Sequence, residues 1–217
     1  MTYKWENSAN PSFDLFAFLS ENFPGIELGG GLFYRWPLGI RFKIGLKAVP
    51  ERPVALFEAA FAREEICILI EQEWPAVGAS NLGVSQKYPL FSLPGAFDFS
   101  PEFSCDQADV QCQESEEVGI DRFTLRWTRF HSRSFGYGDV FQAIGNTDHA
   151  RTPSLSSRVY FVNPRTGVML HMYDDRGLDV ICWRRQPLVE LYAQFHDWVL
   201  EYDREQIMSA LGLGSGQ

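Results

Sequence analysis

The spacing of apolar residues divides the chain into short strands and a few amphipathic helices. Phe13, Phe16, Leu19 and Phe23, with Leu15 and Phe18, recur at helical spacing. This predicts a helix over 13–22 with Ser12 as its N-cap and Pro24-Gly25 as its stop. Gly29-Gly30-Gly31 leads into Leu32 to Trp36, read as a strand with a flexible approach. Apolar and basic residues then alternate along Ile40-Arg41-Phe42-Lys43-Ile44, which predicts a strand with one face in a core and one in water. Pro53 suits the first position of a second helix whose inner stripe is Val54, Phe57, Ala60 and Phe61. Ile66 to Gln72 is apolar enough for a central strand, and Arg122 to Phe130 alternates as a half-buried one. Val140, Phe141 and Ile144 mark a short helix between Gly138 and Gly145. The longest stripe is Leu188, Leu191, Tyr192, Phe195, Trp198, Val199 and Tyr202. It predicts a final helix over 187–202 that buries Trp198.

Between these helices, Val159 to Cys182 reads as a meander. Asn163-Pro164-Arg165-Thr166-Gly167 and Asp174-Asp175-Arg176-Gly177 are turn sequences separating three apolar runs. Pro supplies a fixed φ, Gly a positive one, and the Asx side chains bond to backbone two residues on. The elements together predict an α+β fold, a mostly antiparallel sheet packed with amphipathic helices. The 217 residues, 45% of them apolar, fit a single globular domain. A long loop insertion is expected at about 75–121, and a tail that frays over about 212–217.

Charge sharpens this picture because of where it sits. The chain has 28 acids against 19 bases, a net −9. From Tyr88 to Asp121 there are eight acids and no Lys or Arg, so the rest of the chain is nearly neutral. Phosphate would be repelled there, which argues against nucleic acid as a partner. No apolar segment follows Lys4, and the longest aliphatic run, Ile66 to Ile70, is far short of a membrane span. A cytoplasmic protein without a membrane partner is the expectation. The cysteines, 67, 105, 112 and 182, lack zinc or redox spacing.

The meander also holds the densest ionisable cluster. His171, Asp175 and Asp179 are the candidate catalytic groups, His171 as general base. No cofactor and no metal is assigned; Asp174, Asp175 and Asp179 form the one carboxylate set considered for a hard cation. Ordinary turn chemistry, with Arg176 paired to a nearby acid, accounts for the same residues. No nucleophile-elbow or His-Glu-x-x-His motif occurs. The acidic segment is more distinctive. Glu114, Glu116 and Glu117 could steer a basic protein partner, and Phe97, Phe99 and Phe103 could enter its pockets. A solvated insertion with a few rings folded back is the plainer account of the same residues.

Gly29 to Pro37, Leu56 to Phe61, Val159 to Asn163, His171-Met-Tyr-Asp-Asp-Arg-Gly-Leu-Asp179 and Asp197 to Asp203 together resemble a bacterial family catalogued as domain of unknown function 3885. The resemblance runs from about Phe23 to Ile207, and Tyr-Asp-Asp-Arg-Gly-Leu-Asp is its specific part. It implies a small bacterial cytoplasmic protein and carries no catalytic residues onto this chain. The acidic stretch at 97–118 departs from the family's pattern. Two readings follow. One is a protein-binding module, such as an immunity-type inhibitor of a basic toxin. The alternative is a metal-assisted hydrolase using His171, Asp174, Asp175 and Asp179.

Overall fold

A computed structural model of the protein describes residues 15–28, 31–45, 50–61, 67–73, 87–88, 106–113, 123–130, 136–155 and 157–214. Along the chain come α1 (Leu15–Asn22), a 3-10 turn (Leu32–Arg35), β1 (Gly39–Lys43), α2 (Glu51–Phe61), β2 (Cys67–Glu73), β3 (Lys87–Tyr88), β4 (Asp106–Gln113) and β5 (Phe123–Phe130). Then follow α3 (Tyr137–Asn146), a 3-10 turn (Thr147–His149), β6 (Ser154–Leu155), β7 (Ser157–Asn163), β8 (Val168–Met172) and β9 (Gly177–Cys182). The C-terminal part is α4 (Arg185–Phe195), 3-10 turns at His196–Trp198 and Glu201–Asp203, and α5 (Arg204–Ala210).

Turn side chains set the register of the meander. Asn163 Oδ1 accepts the backbone N–H groups of Arg165 and Thr166, each at 3.1 Å. Gly167 takes the positive φ, +84°, that closes the turn. Asp174 Oδ1 does the same work between β8 and β9, accepting from Arg176 N–H at 2.8 Å and Gly177 N–H at 3.1 Å. The meander occupies one half of a seven-stranded sheet of order β1-β9-β8-β7-β2-β5-β4, with every pairing antiparallel. β3 and β6 form a separate short parallel pair. The class is α+β. Among the described residues no helix is long and apolar enough to cross a membrane.

Alternation gives this sheet two distinct faces. One face, with Phe42, Phe161, Leu170 and Val180, is covered by α2, α3 and α4. Aromatic rings dominate that layer. Phe57 stacks on Phe61 at 4.7 Å between centroids and meets Phe161 edge-on at 5.1 Å, contacts worth about 0.5–1.5 kcal/mol each beyond the area they bury. The other face carries Tyr160, Val162, Met169 and Ile181, packed under Leu19 and Phe23 of the N-terminal segment.

Two expectations meet corrections. Leu32–Arg35 is a 3-10 turn and not a strand. Its Phe33 N–H is drawn to a side chain of β9 and not to a ladder. The final helix stops at Phe195, because the following backbone is recruited to the sheet: Val199 bridges Phe42, and Leu200 N–H donates to Arg41 C=O at 2.9 Å. Tyr202 is therefore exposed rather than part of the stripe. Within the region read as a loop insertion, the described residues are β3 and β4, and β4 pairs with β5 through an irregularity between Ala108 and Gln111. The remainder of 75–121 lies outside the described residues, as do residues 215–217 of the tail.

Trp198 is the measurable consequence. It is only half-buried, stacked on Phe195 at 4.8 Å with the Arg52 guanidinium 5.2 Å from its ring. Trp198→Ala should lose about 2 kcal/mol in urea unfolding, less than the roughly 3–5 kcal/mol of a fully enclosed ring. A loss above about 4 kcal/mol would show the ring to be a core group after all.

Candidate functional site

Register decides which polar groups meet. β9 lies between β1 and β8, so Asp179 stands opposite Arg41 on one side and His171 on the other. Residues opposed across a pair share a face, and this is the face away from α2, α3 and α4. Tyr160 extends the row, its ring stacked on the imidazole with centroids 4.3 Å apart.

The centre of the row is an enclosed ion pair. Arg41 Nε donates to Asp179 Oδ1 at 2.7 Å, and Arg41 Nη2 donates to Oδ2 at 2.9 Å. This two-pronged geometry is the strong form of the interaction. Phe33 N–H adds a third bond to Oδ2 at 3.1 Å. The Asp179 side chain is 0% exposed and that of Arg41 11%. Rings surround the cation, Tyr34 at 4.4 Å, Tyr173 at 5.1 Å and Phe33 at 5.5 Å from their centroids. Burial disfavours the charged guanidinium, but the bonds and charge of Asp179 outweigh it and raise the Arg41 pKa. A Cβ on Gly31 would collide with Arg41 Nη2. The last glycine of the Gly29–Gly31 run is thus a close-approach position, and its role is not flexibility. The β1 face expected to be wet is covered here because Arg41 has a buried partner.

His171 is held neutral. Its Nδ1 lies 2.8 Å from Val159 C=O. A carbonyl only accepts, so Nδ1 carries the proton and Nε2 the lone pair. Burial pushes its pKa down to about 4, against the opposing effects of the Val159 bond and Asp179. Burial likewise pushes the Tyr160 and Tyr173 hydroxyls up to about 12. These three groups are therefore uncharged near neutral pH.

The turn acids are separate from this row. Asp174 caps the β8–β9 turn and accepts from Arg176 Nε at 2.8 Å and from Arg176 Nη2. Asp175 Oδ2 lies 2.7 Å from His149 Nε2. Asp148, from the turn after α3, joins them, and one oxygen from each of Asp148, Asp174 and Asp175 lies within 4.8 Å of the others. The structure therefore gathers Asp174 and Asp175 with Asp148, while Asp179 is bound to Arg41. Phe97, Phe99, Phe103, Glu114, Glu116 and Glu117 lie outside the described residues. Of the eight acids between Tyr88 and Asp121, Asp106 and Asp109 are placed, both in β4.

Sequence reasoning missed Arg41 and Asp148 as partners of the predicted residues. An arginine inside an alternating run signals a half-buried strand, but its partner Asp179 is 138 residues away, and only strand pairing reveals it.

A family model described as "Domain of unknown function (DUF3885)" matches residues 15–203. The chain is also 25% identical over 213 residues to "Uncharacterized protein YnaE" of Bacillus subtilis (strain 168), a match covering 87% of this chain and 98% of that protein. No solved structure matches. The matched span begins with α1 and contains the Arg41–Asp179 pair, the meander and the Glu201–Asp203 turn, and on that match the chain belongs to the DUF3885 family.

Proposed function

We propose that the chain is a cytoplasmic protein-binding module that engages a basic protein, an immunity-type inhibitor of a basic toxin being one such role. The observation that supports it is the placement of charge. The base-free acidic segment runs through the last strand of the sheet, β4. At the opposite edge, β1 is closed by Val199 and Leu200. No described strand covers the outer edge of β4. A strand edge that no described strand covers, within a segment free of Lys and Arg, suits a partner of positive charge, with backbone bonds for affinity and charge for steering.

The hydrolase reading has weaker support. A general base works best with a pKa near the operating pH, and His171 sits at about 4. Asp179 is enclosed by Arg41 and Phe33, and Asp174 serves its own turn.

The binding reading is tested by pull-down from the source cell, comparing wild type with Glu114→Lys/Glu116→Lys/Glu117→Lys. The reversed variant should associate about tenfold more slowly at low salt, with a flatter salt dependence and a smaller change in dissociation. Identical recovery and identical salt sensitivity for both baits would remove the support for this reading.

A further inference from the structure

Two large apolar side chains stand out on the surface, Tyr34 at 59% and Tyr202 at 89% exposure. They come from distant parts of the chain and meet at Asp203. The Tyr34 hydroxyl donates to Asp203 Oδ1 at 3.3 Å, with Oδ2 at 3.4 Å. Tyr202 directly precedes Asp203 in the same 3-10 turn.

Both rings sit on fixed backbone. The Tyr34 turn is held by the Phe33–Asp179 bond, and its ring lies on the Arg41 guanidinium. The Tyr202 turn is held by Leu200 N–H on Arg41 C=O and by Arg204 Nε on Glu201 at 2.7 Å. Rigid aromatic anchors lose little conformational freedom on binding, and tyrosine is enriched where interfaces concentrate their energy. The charge around them has a sign. The segment 196–205 carries Asp197, Glu201, Asp203 and Glu205 against Arg204, and Arg204 is already bonded to Glu201. Arg41 beneath Tyr34 is neutralised by Asp179. A second copy of this chain would bring like charge to like charge, whereas a cationic side chain could lie on the open Tyr202 ring within the net negative field of the segment, nearest the exposed carboxylates of Glu201 and Glu205, while Asp203 stays buried under Tyr34.

We propose that the Tyr34–Tyr202 face is a second contact surface, one that takes an arginine- or lysine-bearing segment of a basic protein. The proposal rests on the reading of the chain as a binder of basic partners. Its location differs from the acidic edge: the Val199–Leu200 segment that leads to Tyr202 lies along β1, six strand spacings from β4, roughly 29 Å.

The probe is a synthetic peptide of alternating Arg and Gly, titrated into isotopically labelled full-length protein and followed by backbone amide shifts. Shifts should appear at residues 34–36 and 201–204. Tyr202→Ala should weaken the peptide by roughly two- to fivefold, and Tyr202→Phe should leave it nearly unchanged. So exposed a side chain can be removed without unfolding the protein, and a thermal melt of Tyr202→Ala checks this. Absence of shifts at these residues, equal affinity for Tyr202→Ala, or equal binding of a Glu-Gly peptide would each overturn the proposal. The triple Glu-to-Lys variant, titrated in parallel, separates the two claims. If it loses the peptide while Tyr202→Ala does not, the second surface is wrong and the acidic-segment reading stands. If Tyr202→Ala alone loses the peptide, the second surface stands and the acidic-segment reading falls.

Discussion

Arg41→Met should lower the stability of the protein by about 3–5 kcal/mol, the range seen when one member of a buried ion pair is removed. The reason is what remains. Asp179 is fully enclosed and would keep only the Phe33 N–H at 3.1 Å among its present bonds. The loss comes chiefly from this stranded carboxylate rather than from missing attraction. The double variant Arg41→Met/Asp179→Leu should therefore be more stable than Arg41→Met alone, because the charge that was stranded is gone. Chemical unfolding of the two single variants and the double variant measures this directly. A loss below about 1.5 kcal/mol for Arg41→Met, or strict additivity in the double variant, would show that the pair is screened by solvent and is not an organising contact. Its position suggests otherwise, since the Leu32–Arg35 turn, the Tyr34 ring and the approach of Gly31 are all arranged around it.

The second large effect is a loss of stability in mild acid caused by His171. Its folded pKa, about 4, lies below the ordinary value near 6.5. Well above pH 6.5 neither the folded nor the unfolded form binds the proton, and the full stability is present. As pH falls from 6.5 the unfolded chain takes up the proton while the folded protein does not, so stability drops until the folded ring titrates near pH 4. The difference in pKa corresponds to about 3 kcal/mol. His171→Phe should lack this component, whatever its stability at pH 7. Comparing the two proteins at matched pH separates it from the carboxylates, which titrate at the lower end of the same window. Ring proton shifts should show His171 titrating near pH 4. A midpoint near 6.5, or the same pH dependence in both proteins, would mean the imidazole is open to water.

Both effects involve residues that sequence analysis singled out only in part. His171 and Asp179 were visible as members of an ionisable cluster beside a turn, and the meander that carries them was readable because Asn163, Asp174 and the glycines act on their own neighbours. Their roles were not readable. His171 resembled a base in an open cluster, yet it is capped by Val159 C=O and stacked on Tyr160. Asp179 resembled a turn acid, yet it is the buried anion for Arg41. Asp174 and Asp175 behaved as local turn residues, but their third neighbour, Asp148, comes from the far side of β6 and β7.

The same division explains the helices and strands. The sequence alone determined the elements whose causes lie within a few residues: the two side-chain-closed turns, the alternation of β1, the apolar runs of the meander, the apolar stripes of α2, α3 and the first half of α4, and the confinement of net charge to one segment. Tertiary structure decided everything that needed a distant partner. A helical stripe runs on through Trp198 and Tyr202 in the sequence, but β1 offered Val199 and Leu200 backbone pairing that ended the helix. An apolar run at Leu32–Trp36 suited a strand, but a carboxylate on β9 drew its backbone into a turn. Local propensities differ by only about 1 kcal/mol per residue. A buried charge left without its partner costs several times that, so where the two conflict, the long-range contact prevails.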